Sequence, residues 1–317
     1  MPTPDIPAKI KRKPRFARVA DVHFRLQERD IEIIKAVYKH RFLTSSQVIA
    51  LVPGSEKGLL RRLHYLYHAG FVDRPKEQIR PYRNGSNVFV YAIGNRGADL
   101  LHYDFGLPRS KVDWTTKNRE VKSIYLEHGL LVSNFKVILE VACQRNGNIQ
   151  IIEPERNAGR DSVLPVNIQH NAGGNVKNYS FSLTPDGVFG LNFINEPDGR
   201  NKAHFILEAD RSTMPIKRKD FFRSSFERKI IGYWDCWQKG IFKKMYGFEK
   251  ARILTLAISK ERIASMVKAC KEVDPNGKGA SMFLFSLTNN FTLENCDNAL
   301  KQIWQNGYDD RIISLAD

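Results

Sequence analysis

The spacing of apolar residues changes along the chain, and this change restricts the folds that the sequence can adopt. Between Gln27 and Gly70 the apolar residues recur at helical intervals, whereas after Gly147 they fall into short runs typical of strands. With 317 residues, of which 42% are hydrophobic, the chain can bury more than one core. The sequence therefore predicts two domains, the first rich in helices and the second built on a sheet.

The N-terminal pattern predicts three helices joined by tight turns. The first covers about residues 27–41, and the second starts at Thr44, where Gln47 completes a capping box. The third begins near Ser55 and stops at Gly70.

Two predicted strands, residues 71–74 and 87–93, follow the third helix, with a Pro/Gly-rich loop between them. The order helix, helix, helix, strand, loop, strand, together with the segment from Arg61 to Arg74, resembles a winged helix-turn-helix domain. The resemblance covers about residues 25–105, and it implies that this part of the chain binds double-stranded DNA.

Polar side chains occupy the face of the predicted third helix that lies away from its leucines. Lys57, Arg61, His64 and His68 are spaced so that they share this face, which suits a DNA major groove. We predict groove contacts by Lys57, Arg61, His64 and Tyr65, and phosphate contacts by Arg74, Lys76, Arg80 and Arg83 of the wing. A charged helix that is merely solvated remains the alternative.

The charge of the chain also indicates a polyanionic partner. The formal net charge is +16, and residues 1–120 carry 23 basic against 12 acidic side chains. Six of the ten residues from Lys9 to Arg18 are basic, so we predict a basic flexible arm over residues 1–24. It either follows DNA phosphates or is only a solvated tail.

The rest of the chain predicts a long helix and then an α/β sheet with covered faces. The helix, residues 121–145, either joins the domains or packs a homodimer, and its Glu127-His128 pair is interpreted as structural. The strands are predicted at 149–152, 179–183, 188–193, 204–209, 253–258 and 282–287, with helices at 219–246 and 260–273.

Three acids stand in or beside otherwise apolar strands. Glu208 and Asp210 alternate with Leu207 and Ala209, so both carboxylates face one side of the sheet. Asp186 on a neighbouring strand completes a set of hard oxygen ligands suited to Mg²⁺ or Mn²⁺. Asp186, Glu208 and Asp210 are therefore candidate catalytic residues in one exposed pocket, with Asp186 and Glu208 as the metal ligands. Neutralisation of the acids by Arg211, Lys217 or Lys219 is the competing interpretation.

The pair Pro185-Asp186, followed by a hydrophobic strand that carries Glu208, resembles the PD-(D/E)XK nuclease-like fold. The motifs Leu183 to Phe189 and Leu207 to Thr213, together with the winged helix, are more particular and resemble the replication-relaxation family of plasmids and mobile elements. The nuclease pattern implies a lysine two positions after the acid, where this chain has Asp210. Lys217, Lys219 and Lys229 are the possible replacements, and Lys217 and Lys219 are also candidates to hold DNA phosphates.

Other classes of protein have little support. The chain has no apolar run long enough to cross a bilayer, and its four cysteines form no C-x-x-C pair, so we expect buried reduced thiols, no zinc and a cytoplasmic protein. The phosphate-loop pattern is absent, so no nucleotide cofactor is predicted. A bacterial location on the nucleoid or a plasmid follows from the family resemblance alone.

The domain prediction is an arm (1–24), a winged helix-turn-helix domain (25–105), a linker with the long helix (106–146) and a nuclease-like domain (147–317), a two-domain α+β or α/β protein. The preferred function is a DNA-binding protein of plasmid replication, relaxation or mobilisation, with replication or mobilisation proteins as possible partners. The alternatives are a metal-dependent endonuclease or nickase, and a winged-helix transcriptional regulator whose second domain is not catalytic.

Overall fold

A computed structural model describes residues 15–19, 24–78, 88–107, 115–155, 163–172, 175–309 and 311–316. The chain divides into two compact units after Glu127. Secondary structure in both units is mixed α and β, as the sequence predicts. No helix among the described residues has the length and apolar character needed to cross a membrane.

The first unit begins with three helices: α1 (Glu28–His40), α2 (Ser45–Leu51) and α3 (Glu56–His68). The predicted capping box at the start of α2 is confirmed, because Thr44 Oγ1 accepts from the Gln47 amide and Gln47 Oε1 accepts from the Thr44 amide. Ser55 caps α3 in the same way by accepting from the Gly58 amide. The predicted helices of this unit are thus confirmed to within about two residues.

A small antiparallel sheet closes the first unit, with strand order β1-β3-β2. The strands are β1 (Leu43–Thr44), β2 (Val72–Asp73) and β3 (Val90–Ile93), followed by helices α4 (Asn95–Tyr103) and α5 (Thr115–Arg119). Every residue of β3 is buried, which places this strand at the centre of the unit between its two partners.

A buried ion pair joins α1 to α3. Arg62 Nε lies 2.7 Å from Asp30 Oδ1, and Asp30 is fully buried. The Arg62 guanidinium also lies 4.4 Å from the ring centroid of Phe24. Arg62 therefore belongs to the interior of the unit, although it neighbours the exposed Arg61 in sequence.

Residues 15–19 of the predicted flexible arm pack against the first unit. Arg18 pairs with the buried Asp73, donates to the Tyr67 carbonyl oxygen at 2.8 Å and lies over the Tyr67 ring. The Val19 amide donates to His68 Nδ1 at 3.2 Å. Residues 1–14 and 20–23 of the predicted arm lie outside the described residues.

The second unit is built on a mixed sheet that, among the described residues, has the strand order β12-β11-β10-β9-β8-β7-β4. The strands are β4 (Ile149–Ile152), β7 (Gly187–Phe193), β8 (Lys202–Ala209), β9 (Arg252–Ala257), β10 (Phe283–Leu287), β11 (Trp304–Asn306) and β12 (Ile312–Ile313). β8, β9 and β10 are parallel, and the other pairs are antiparallel. A separate hairpin contains β5 (Leu164–Ala172) and β6 (Asn175–Leu183).

Helices cover both faces of this sheet. The long helix α6 (Ser123–Asn146) contains the boundary between the units, and its Phe135 contacts Phe189, Phe291 and Trp304. The other face carries α7 (Phe226–Gln238), α8 (Ile241–Tyr246), α9 (Lys260–Val273) and the β5–β6 hairpin, which share one core with Ile206, Ile253 and Phe283. The four cysteines are buried and free, as predicted.

The second unit departs from the sequence prediction in its connections. The predicted helix over residues 219–246 is two helices, α7 and α8, because Gly240 takes a left-handed conformation (φ 65°) between them. Strand β5 and the short edge strands β11 and β12 were not predicted. The long helix and the remaining strands and helices are confirmed with shifts of one to a few residues at their ends.

Candidate functional site

Two of the predicted acids meet at the end of the sheet where β7 begins and β8 ends. Asp186 directly precedes β7, and its amide donates to the Leu207 carbonyl oxygen at 3.0 Å. Glu208 is the penultimate residue of β8 and lies on the face covered by α7. The two strands pair antiparallel with Gly187 opposite Leu207, and this register fixes both acids at one end of the sheet.

Both oxygens of Asp186 accept hydrogen bonds. His128 Nε2 on α6 lies 2.8 Å from Oδ1, and the Ala209 amide donates to Oδ2 at 2.8 Å. The hydrogen bond to Asp186 raises the pKa of His128 above its usual value, although partial burial works against it. Asp186 is therefore held by a side chain that gains a positive charge more readily than an ordinary histidine.

Both oxygens of Glu208 are also occupied. Lys229 Nζ on α7 lies 2.5 Å from Oε2, and the Tyr233 hydroxyl, one turn further along the helix, donates to Oε1. Glu208 is only 4% exposed. Burial raises the pKa of Glu208; Lys229 opposes this rise, and the charge of Asp186 adds to it.

Lys229 supplies the positive charge that Glu208 needs in this interior. Burial alone would lower the pKa of Lys229, but the charge of Glu208 and their hydrogen bond outweigh it and raise the pKa. Burial also raises the pKa of Tyr233 well above its usual value, so its hydroxyl keeps the proton that it donates to Glu208. Asp186 with His128, and Glu208 with Lys229 and Tyr233, thus form two neighbouring hydrogen-bonded groups. The charge of Asp186 acts on both Glu208 and Lys229, and we name the five residues together the acid network.

A divalent cation of the kind that the nuclease-like pattern implies would meet carboxylates that are already hydrogen-bonded. Each of the four carboxylate oxygens of Asp186 and Glu208 already accepts a hydrogen bond. Within the described part of the chain, no three His, Cys, Asp or Glu side chains are grouped so that they hold a metal ion. In this arrangement the Lys229 ammonium and the His128 ring each occupy one carboxylate oxygen of the two acids.

The prediction that Asp210 shares one exposed pocket with the other two acids is wrong, although its charge acts on the same Lys229. Asp210 follows the end of β8, and its carboxylate makes a two-point ion pair with Arg262 of α9, at 2.8 and 2.9 Å. The amide of Ser212 donates to the same carboxylate at 2.8 Å. Asp210 therefore ties the end of β8 to α9, and Glu208 is buried and not exposed in a pocket.

Neither Lys217 nor Lys219 neutralises these acids. Lys217 pairs with Glu227 and Glu272. Lys219 is exposed, and Arg211 is half-buried. The acids are paired instead with Lys229, His128 and Arg262, which lie on three different helices.

The predicted groove-contacting residues of α3 lie on its outer side. Lys57 and Arg61 are exposed, and His64 and Tyr65 are half-buried. His68 departs from the predicted shared face, because it is only 5% exposed and accepts from Val19. The face available to a partner therefore runs from Lys57 to Tyr65.

The prediction that Arg74 reaches a phosphate from an exposed wing is also corrected. Arg74 is only 6% exposed, and its guanidinium carbon lies 3.8 Å from the ring centroid of Phe89 and 4.2 Å from that of Tyr67. It donates to the Arg15 carbonyl and the Tyr91 hydroxyl. Arg80 and Arg83 lie outside the described residues.

Sequence reasoning named Lys229 as one possible replacement cation but missed His128, Tyr233 and Arg262 as partners of the acids. His128 was interpreted as structural, and the other two carry no local motif. The spacing of Lys229 and Tyr233, four residues apart, places both on one side of α7 and was the only sequence signal that linked them.

Comparison with known proteins gives one match. Residues 34–251 match the replication-relaxation family. No curated protein and no solved structure matches the chain. The matched region begins within α1, covers the rest of the first unit, includes Asp186 and Glu208, and spans more than half of the sequence. The chain therefore belongs to the replication-relaxation family, a membership that supports a role in the replication or relaxation of mobile elements.

Proposed function

We propose that this protein binds double-stranded DNA through its first unit, as a winged helix-turn-helix module, in the replication, relaxation or mobilisation of a plasmid or other mobile element. The observation that carries the proposal is the outer face of α3, where Lys57 and Arg61 are exposed beside His64 and Tyr65. A helix with such a face enters the major groove, where arginine pairs with guanine and lysine with bases or phosphates.

The packing of the unit supports this use of α3. The opposite side of the helix is fixed to the core by Leu59, Leu63 and Leu66, all fully buried, and by the Arg62–Asp30 ion pair. A recognition helix held by such contacts presents its outer side chains with little loss of conformational freedom on binding. Arg80 and Arg83, between β2 and β3, remain the proposed phosphate contacts.

Binding is tested with a duplex recovered by in vitro selection and then used in fluorescence anisotropy. Arg61→Ala should weaken binding to the selected duplex by about 1 to 3 kcal/mol and affect an unrelated duplex less. Lys39→Ala, which removes the same charge from an exposed position on α1, is the matched control. Equal affinities of Arg61→Ala and Lys39→Ala would exclude α3 as the reading helix.

A DNA endonuclease or nickase is the second candidate function. Its support is the position of Asp186 and Glu208 at one end of the sheet, with Lys229 on Glu208 in place of the lysine that the nuclease-like pattern has on the strand. Because the carboxylate oxygens are already hydrogen-bonded, the proposal assigns no step to a bound metal.

Nicking of supercoiled plasmid, with and without Mg²⁺ or Mn²⁺, tests this candidate. Glu208→Gln should abolish nicking, whereas Glu196→Gln, an exposed acid on the turn after β7, should leave it unchanged. DNA binding without nicking in any of these conditions would remove the nuclease candidate and leave a DNA-binding protein, of replication or of transcription, whose second unit is not catalytic.

A further inference from the structure

A large cavity lies in the second unit, at the end of the sheet opposite the acid network. Its volume is about 1100 Å³. Its lining includes Lys202 and Arg252, the first residues of the parallel strands β8 and β9. Glu208 stands at the other end of β8. The cavity is thus a separate site, and its size lies at the upper end of the range for small-molecule sites.

Two arginines line this cavity, and within the described residues one of them has no ion-pair partner. Arg252 makes no ion pair or hydrogen bond with any residue in the described ranges. Arg311 pairs with Asp309 through Nε at 2.7 Å, and its side chain is 71% exposed. Arg252 and Arg311 line the same cavity, and the charge of Arg311 adds to burial in lowering the pKa of Arg252. An anion in the cavity would supply a counter-charge to both guanidinium groups.

Flat rings line the same cavity. His204 stacks on Phe248 with ring centroids 4.5 Å apart and an angle of 16° between the planes. Half-buried Trp237 of α7 also lines the cavity and stacks on Trp234 behind it, at 5.1 Å. Burial lowers the pKa of His204, so this ring is neutral near pH 7 and offers a stacking surface.

The acidic side chains that line the cavity do not neutralise its arginines. Glu249 is paired with Lys243 at 2.6 Å. Glu153 and Glu155 also line the cavity and are exposed, and their carboxylates suit the amino or hydroxyl groups of a ligand. Lys202 and Lys250 add two further exposed ammonium groups.

We propose that this cavity binds a nucleoside monophosphate, with the phosphate between Arg252 and Arg311 and the base against Trp237 or the His204–Phe248 stack. The site needs no phosphate-loop motif, because its residues come from β8, α7, β9 and the segment before β12 and meet only in the fold. It is independent of DNA binding by the first unit.

Isothermal titration calorimetry on the full chain tests the proposal with AMP, adenosine and inorganic phosphate as separate probes. AMP should bind at one site per chain, and adenosine and phosphate should each bind at least about tenfold more weakly, because each lacks one half of the recognised chemistry. Arg252→Ala should weaken AMP binding about tenfold or more. Arg200→Ala, an exposed arginine on the turn before β8, should not change it.

The proposal is overturned if AMP does not bind, if adenosine binds as tightly as AMP, or if Arg252→Ala leaves AMP affinity unchanged. Arg252→Lys keeps the charge and serves as a second variant, for which we expect an intermediate affinity. Thermal unfolding of each variant establishes that the protein is folded. DNA binding in the same preparations should be unaffected, which separates the failure of this site from failure of the first unit.

Discussion

One buried carboxylate of the second unit, that of Glu208, requires neighbouring groups that neutralise its charge. Glu208 lies in a core of aliphatic and aromatic side chains, where an unpaired charge is strongly unfavourable. Lys229 and Tyr233 compensate it from one helix, and His128 holds the neighbouring Asp186 from another. The network therefore stabilises the fold whether or not it takes part in catalysis.

Removal of Lys229 should show how much the stability of the protein depends on the counter-charge of Glu208. We expect Lys229→Met to lower the free energy of unfolding by about 3 to 5 kcal/mol at neutral pH, because Glu208 is then buried without its counter-charge. The double variant Glu208→Gln/Lys229→Met should recover most of that loss. Urea unfolding followed by tryptophan fluorescence measures both, with Lys219→Met at an exposed site as the control.

If Lys229→Met and Lys219→Met are equally stable, the ion pair with Glu208 contributes nothing. A double variant no more stable than Lys229→Met would show instead that the lysine acts through packing of its methylene chain and not through its charge.

The Asp186–His128 pair should make part of the stability depend on pH. Since the pKa of His128 is raised in the folded protein, the stabilisation is fully present below the ordinary histidine pKa of 6.5 and is lost as the pH rises through the raised pKa. We expect Asp186→Asn to return the His128 pKa towards 6.5, as measured by NMR titration of the imidazole.

The same substitution gives the stability readout. The difference in unfolding free energy between wild type and Asp186→Asn should be largest at acidic pH and shrink above pH 6.5. His102, whose Nδ1 lies 2.7 Å from the Leu107 carbonyl oxygen in the first unit, serves as the reference signal. A difference that stays constant over this pH range would show that His128 does not titrate against Asp186.

At the scale of elements, two neighbouring arginines on α3 have opposite roles. Arg61 is exposed, whereas Arg62 is tied to the buried Asp30 and to the Arg25 carbonyl oxygen. We expect Arg62→Ala to lower the free energy of unfolding by about 3 to 5 kcal/mol, because Asp30 loses its partner in the interior. Arg61→Ala should change stability by no more than about 0.5 kcal/mol.

Thermal unfolding followed by circular dichroism measures the effect of each substitution on stability. Fluorescence anisotropy of the same variants measures the effect on DNA binding. Arg61→Ala should be a stable variant that binds DNA weakly. Destabilisation of equal size by both substitutions would mean that Arg61 also serves the core, and its effect on DNA would then be indirect.

Helices and strands could be predicted from the sequence where a cap or a break marks the end of the element and the apolar residues keep a clear period. The helix α9 was predicted with its observed bounds, because Ser259 caps its start and the apolar residues keep helical spacing to Val273. The hairpin strand β5 was missed although Leu164, Val166 and Ile168 alternate and are buried, since Pro165 and several polar residues weaken the strand signal. The edge strands β11 and β12 are too short to show a period.

The sequence predicts the acids of the candidate site that lie in or beside strands, but not the helix residues that pair with them. Asp186 and Glu208 stand out as acids beside apolar strand residues, and their meeting follows from the pairing of β7 with β8. Which cation each acid takes depends on how α6, α7 and α9 pack on the sheet, and sequence spacing does not encode that packing. Asp210 was misplaced for this reason, since nothing local joins it to Arg262, 52 positions away.

At the scale of the whole molecule, the basic N-terminal segment divides into two parts with different expected roles. Arg18 is engaged with Asp73 and the Tyr67 carbonyl oxygen, so it belongs to the folded unit. Residues 1–14 hold Lys9, Lys11, Arg12 and Lys13 and a single acid, Asp5. We therefore assign any phosphate contacts of the arm to these four side chains.

Replacement of these four residues by glutamine keeps the length of the arm and removes its charge. Each phosphate contact contributes about 0.9 to the slope of log affinity against log salt concentration, so the slope should flatten by up to about 3 to 4. Arg18→Ala, the matched control, should lower the stability of the first unit, because Asp73 loses one of its two arginine partners, and should leave the slope nearly unchanged. A slope equal to that of wild type in the glutamine variant would place the arm away from DNA, and the salt dependence would then belong to α3 and the wing alone.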